Sequence, residues 1–126
     1  MKKTQTQSAS KSKESRPSLS DEGFEMVASR FKALSEPVRL KLLNALEDGE
    51  KNVTQLLVIA GTSQANVSKH LSLLMESKMV SRRKEGVNAY YFISDPTIYE
   101  LCDLMCRKLQ KDMDRSAKSF LASSAA

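Results

Sequence analysis

The chain of 126 residues has no tryptophan, one histidine (His70), two cysteines, three prolines and four glycines. Each scarcity narrows what the protein does. One histidine, with no glycine-rich phosphate loop and no His placed beside a Cys or Ser, leaves little acid–base or nucleophilic machinery, so no enzyme is expected. Two cysteines are too few for a disulfide framework, and in a reducing compartment Cys102 and Cys106 are expected as free thiols. No apolar run is long enough to span a bilayer, so no membrane partner is expected. The basic start "MKKTQTQSASKSKESRPSLS" has no hydrophobic segment behind it and is not a secretory signal. A cytoplasmic protein with no cofactor is therefore expected.

What is present is a modest apolar fraction of 40%, enough for one domain with a small core that a dimer partner would help to cover. The formal charge of +5 is concentrated at one end: Lys2, Lys3, Lys11, Lys13 and Arg16 face only Glu14 in the first twenty residues. Residues 1–19 have too little apolar surface to offset the entropy of ordering and read as a disordered basic arm. Such an arm would add weak, salt-sensitive affinity for DNA or serve only as a solubilising tail. The structured domain is expected over 20–117, with 118–126 a frayed tail.

Within the domain, Ser20 is a helix cap with Asp21 and Glu22 in the first turn, and Phe24, Val27, Ala28, Phe31 and Leu34 recur at helical spacing. Ser35-Glu36-Pro37 starts a second helix, with Ser35 as the cap, which carries Val38, Leu40, Leu42, Leu43 and Leu46 and stops at Gly49. Asn52 and Gln55, three apart, have capping-box spacing for a short third helix from Val53 to Ala60, closed by Gly61. Ser63 caps a fourth, running to about Ser77, with Val67, Leu71, Leu74 and Met75 as its buried stripe. After Lys78 the period becomes alternating, and "MVSRRKEGVNAYYFIS" reads as strand, turn, strand. Asp95-Pro96 opens a last helix whose apolar face is marked by Ile98, Leu101, Cys102, Met105, Leu109 and Met113. The fold class is mainly α with a β-hairpin, in the order ααααββα. Two short helices meet at "AGTSQ" and a basic hairpin follows, which together describe a winged helix-turn-helix.

The stretches "FKALSEPVRLKLLNAL", "SQANVSKHLSLLMESKMV", "RRKEGVNAYYFI" and "DPTIYELCDLMC", in this order and spacing, resemble the ArsR/SmtB family of bacterial winged-helix repressors over about residues 24–110. The resemblance implies a homodimer built on the first and last helices, a double-stranded DNA operator with two-fold pseudo-symmetry, and an inducer that releases it. Members that bind metals through the helix before the recognition helix carry a Cys-rich motif there, and "NVTQLLVIAG" has no Cys, His or Asp. Others use His and carboxylates on the last helix, which here has no His. No metal site of either type is expected.

The fourth helix would then be the recognition helix. Its start, "SQANVSKHL", offers amides, hydroxyls and an ammonium where a solvated surface helix usually carries Glu and Lys. Gln64 and Asn66 can pair in bidentate fashion with adenine, and Ala65 can touch a thymine methyl. Ser63, Ser68 and Lys69 suit phosphates, which fix register without reading sequence. The plainer alternative is that these residues cap and solvate a helix. His70, alone, is expected as a packed or phosphate-facing residue rather than a metal ligand. Arg82, Arg83 and Lys84, with Asn88 beyond the turn, are candidate wing contacts to DNA, or the charged edge of an ordinary strand. Cys102 and Cys106, one turn apart on the last helix, are candidate sensing thiols for a thiol-reactive or soft-metal inducer, or small apolar residues that only pack. The remaining alternatives are a winged-helix regulator that senses nothing, and a module that binds another protein.

Overall fold

The computed structural model describes residues 18–115. Most of the arm and all of the tail expected from the sequence lie outside those residues. Helix α1 spans Asp21–Ala33, α2 Pro37–Leu46, α3 Val53–Ala60, α4 Gln64–Glu76 and α5 Ile98–Arg115, with strands β1 (Lys51–Asn52), β2 (Val80–Glu85) and β3 (Asn88–Ile93). This is the winged helix-turn-helix that the alternation of periods predicts, with one addition. β1 pairs antiparallel with β3, Lys51 opposite Tyr91 and Asn52 opposite Tyr90, to make a three-stranded sheet in the order β1-β3-β2. Two residues carry no readable period, so the strand has no signature in the sequence.

The helix ends follow their local chemistry. Ser20 accepts from the Gly23 amide at 3.0 Å. The Asn52 and Gln55 side chains exchange bonds with each other's amides at 2.9 Å, a complete capping box. Gly61 closes α3 at φ 68, in the left-handed region that a Cβ disfavours. One cap differs from expectation. Glu36, not Ser35, precedes α2, and its carboxylate accepts from the Arg39 amide at 3.0 Å. Pro37 takes the first helical position, which makes Glu36 the cap, while the Ser35 hydroxyl turns back to the Lys32 carbonyl. Asp95 accepts from the Thr97 amide at 3.2 Å, so Pro96 lies in a turn and α5 begins at Ile98.

The core gathers Leu42, Leu43 and Leu46 of α2, Leu56 and Ala60 of α3, Val67, Leu71 and Leu74 of α4, and Val80, Tyr91 and Ile98. Burying each large aliphatic side chain stabilises the fold by about 1.5–3 kcal/mol, which explains why α2, α3, α4 and the sheet pack as one unit. The apolar stripes of α1 and α5 stay largely outside it. Phe24 is 60% exposed, Phe31 55%, Leu104 59% and Met105 60%, and of α1 only Ala33 is buried. Among the described residues, no helix is long and apolar enough to cross a membrane.

Candidate nucleic-acid interface

The turn between α3 and α4 is three residues long. Its left-handed glycine turns the chain sharply, and Ser63 then caps α4 by accepting from the Asn66 amide at 3.1 Å. Val67, His70, Leu71 and Leu74 bury one side of α4. The opposite side presents Ala65, Ser68, Lys69 and Ser72, spaced i, i+3, i+4 and i+7, all exposed, with Gln64 exposed on the flank. No acidic side chain lies on this stripe until Glu76. Asn66 sits on the other flank, half-buried, and its amide nitrogen donates to the Thr62 hydroxyl at 3.2 Å. That bond takes one of its two amide N–H donors and leaves the second N–H and the amide oxygen for other partners. Ser72 was not singled out from the sequence, although its place four residues after Ser68 is the signal that finds it.

His70 is packed. It is 6% exposed, and its Nδ1 lies 3.0 Å from Nη1 of the buried Arg39. Arg39 can only donate, so Nδ1 accepts, and the imidazole is neutral with its proton on Nε2. That Nε2 faces the Glu36 carboxylate at 3.8 Å. The Arg39 Nε donates to the Ala33 carbonyl at 2.7 Å and Nη2 to the Lys32 carbonyl at 3.2 Å. One guanidinium therefore ties the end of α1, the start of α2 and the middle of α4. The Arg39 amide, hydrogen-bonded to the carboxylate, holds the Glu36 carboxyl below its ordinary range. Nothing local in "EPVRLK" marks this arginine as buried, because its partner stands 31 residues away.

The wing is β2, the Gly86-Val87 turn and β3. Gly86 sits at φ 64, and Val87 at the tip is fully exposed. Arg82 and Lys84 are exposed on the sheet face that carries Val80, Ala89 and Tyr91, the face that packs on the core and α4. Arg83 points to the other face. Its Nε and Nη2 grip both oxygens of Glu50 at 2.9 and 2.7 Å, its Nη1 reaches Glu85 at 3.0 Å, and its guanidinium carbon stands 4.9 Å above the Tyr90 ring. Asn88, opposite Glu85, is exposed.

The two thiols differ. Cys102 is half-buried, and burial first, then the Cys106, Asp103 and Glu47 charges, pushes its pKa up. Cys106, one turn on, is exposed. Near them the Tyr99 hydroxyl donates to the Leu43 carbonyl at 2.6 Å. That carbonyl is free because the last turn of α2 tightens, the Glu47 amide bonding Asn44 instead. Burial pushes the Tyr99 hydroxyl up to about 12. Among the described residues, no three His, Cys, Asp or Glu side chains come together to hold a metal ion.

Comparison with known proteins places this geometry. The model of the family described as "Bacterial regulatory protein, arsR family" matches residues 36–82, from the cap of α2 into the wing. A probable mercury resistance operon repressor of Streptomyces lividans is 39% identical over 82 residues, and the match spans 65% of this chain and 65% of that protein, just under two thirds of its length. The transcriptional repressor PagR of Bacillus anthracis is 34% identical over 79 residues, 62% of this chain and 79% of that one. The crystal structure of Rv0081 from M. tuberculosis superposes with a TM-score of 0.70 at 27% identity, covering 78% of this chain and 99% of that one. The solution structure of a homodimeric winged helix-turn-helix DNA-binding domain from Mycobacterium bovis gives 0.63 at 25% identity, covering 85% and 100%. The turn and α4 fall inside the family match, which ends within β2, and the chain belongs to the ArsR/SmtB family of winged-helix transcriptional regulators.

Proposed function

We propose that this chain is a homodimeric repressor that binds a pseudo-palindromic double-stranded DNA operator and is released by a thiol-reactive inducer acting at Cys102 and Cys106. The observation that carries the DNA reading is the exposed, non-acidic stripe of α4, Ala65, Ser68, Lys69 and Ser72 with Gln64 and Asn66 beside it, in a fold whose wing exposes Arg82 and Lys84 on the sheet face that packs against α4. Gln64 and Asn66 read bases, while Ser63, Ser68 and Lys69 hold phosphates. The apolar faces of α1 and α5, open in the single chain, support the dimer: Phe24, Phe31, Leu104 and Met105 would be covered by a second copy. Two recognition helices related by a two-fold axis then fit half-sites about one helical turn apart.

Of the two thiols, Cys106 is the one an inducer meets first, since it is exposed. The half-burial and raised pKa of Cys102 support the second reading, in which that cysteine packs and takes no part in sensing.

The test is a titration of the purified protein with the duplex upstream of its own gene, reduced and then treated with a persulfide donor, peroxide, arsenite or cadmium. Specific binding, relaxed in base preference by Gln64→Ala or Asn66→Ala, is the expected result. Release on thiol treatment that is lost in Cys106→Ser makes it a thiol-responsive repressor. Binding indifferent to every treatment makes both cysteines packing residues. Absence of specific binding refutes the repressor and leaves the same helix as a surface for another protein.

A further inference from the structure

Three basic residues stand in a row on β2, and the fold separates them. Arg82 and Lys84 project from the face shared with α4, whereas Arg83 lies across the outer face. From β2 its side chain reaches over its cross-strand partner Tyr90 on β3 to Glu50, the residue just before β1 at the far edge of the sheet. The guanidinium therefore spans the sheet from β2, over β3, to the residue that leads into β1. Its contact with Glu50 is bidentate, the geometry in which an arginine–carboxylate pair is strongest and most directional. Glu50 is held below its ordinary pKa, first by this hydrogen bond, so the pair is ionised at neutral pH. Three of the five guanidinium donors are already taken. A phosphate approaching the other two would also meet the Glu50 and Glu85 carboxylates.

We propose that Arg83 and Glu50 form a positioning staple that sets the pitch of the wing against the body of the domain, so that Arg82 and Lys84 carry the wing's phosphate contacts and Arg83 carries none. This rests on the reading of the wing as part of a DNA interface. Arg83, which the sequence groups with its neighbours as a DNA contact, acts instead through them. The wing is joined to the domain mainly through β3, and a hairpin free to pivot there spreads its cations over many positions. A staple from β2 to the loop before β1 removes that freedom before DNA arrives, which is how preorganisation raises affinity.

Salt dependence separates a contact from a staple, because each neutralised phosphate contributes about 0.9 to the slope of log K against log salt. The full-length protein is titrated with its own upstream duplex over a range of KCl concentrations. Arg82→Ala and Lys84→Ala are expected to flatten the slope by about 0.9 for each bound copy. Arg83→Met and Glu50→Gln are expected to weaken binding about twofold to fivefold, the range of an exposed pair, and to leave the slope unchanged. The charge exchange Glu50→Arg with Arg83→Glu should restore most of the affinity, since it rebuilds the staple with the cation at the other end. Flattening by Arg83→Met equal to that of Arg82→Ala would make Arg83 a phosphate contact and overturn the proposal. Tighter binding by Glu50→Gln would overturn it too, since Glu50 would then be competing with DNA. If Arg82→Ala and Lys84→Ala also leave the slope unchanged, the wing is no part of the interface. If the wild-type protein binds no duplex, the repressor reading fails first and the staple has nothing to position.

Discussion

Replacing Arg39 by methionine should destabilise the domain by several kcal/mol while leaving its apolar stem packed. The guanidinium makes three bonds, to the Ala33 carbonyl at 2.7 Å, the His70 ring at 3.0 Å and the Lys32 carbonyl at 3.2 Å. Lys32 keeps another donor, the Ser35 hydroxyl at 2.9 Å, so it is not orphaned. The Ala33 carbonyl and His70 Nδ1 are, and both residues are buried. Leaving a buried polar group without its partner costs about 1–3 kcal/mol, so the two together cost about 2–6 kcal/mol. A small domain has only about 5–15 kcal/mol in all. At about 4–8 °C per kcal/mol for a domain of this size, the melting temperature should fall by roughly 10 °C or more. The assay is thermal unfolding by circular dichroism at one fixed protein concentration, because association shifts apparent stability by mass action. Partner variants sharpen it. His70→Asn keeps an acceptor near the position of Nδ1 and should be the milder change, whereas His70→Leu leaves the buried Nη1 of Arg39 without its acceptor. Arg39→Met combined with His70→Leu should cost less than the sum of the two singles, since removing both partners strands neither. A fall of less than about 3 °C for Arg39→Met, or strict additivity of the pair, would refute the idea that this network couples the α1–α2 junction to α4.

Two further predictions concern separate parts of the molecule. Iodoacetamide at neutral pH should label Cys106 before Cys102, read by peptide mass spectrometry. Cys102 has its folded pKa raised, chiefly by burial, so it holds its proton through the neutral range and gains thiolate only as the pH rises above the ordinary thiol value of 9.0. Equal labelling rates at neutral pH would contradict that. Lys78, just past the cap of α4, adopts φ 63, and Lys78→Gly should relieve the left-handed penalty of about 1–2 kcal/mol at an entropic cost of about 0.5–1 kcal/mol. A rise of a few degrees in melting temperature is expected, and an unchanged or lower value would show that the backbone there is not strained.

The five helices, the hairpin and their order were legible in the sequence, and strand β1 was not. Ser20, the Asn52–Gln55 box, Gly61 and Ser63 act within three or four residues of where they stand, so a linear reading finds them. The switch from helical to alternating period after Lys78 reads just as locally, and with the "AGTSQ" turn it is enough to recognise a winged helix-turn-helix. Arg83 shows where that reading runs short. It was legible as a cation, but its partner Glu50, across the sheet, decides which of its donors remain available. The tertiary structure alone decided four things: the pairing of two-residue β1 with β3, the burial of Arg39 against His70, the pairing of Arg83 with Glu50, and the failure of the α1 and α5 stripes to enter the core. Each depends on residues some thirty or more positions apart, or on how much apolar surface the other elements have already covered. Local propensity holds no record of either. An apolar period predicts that a face will be buried, but only the packed chain shows whether its own core or something else must bury it.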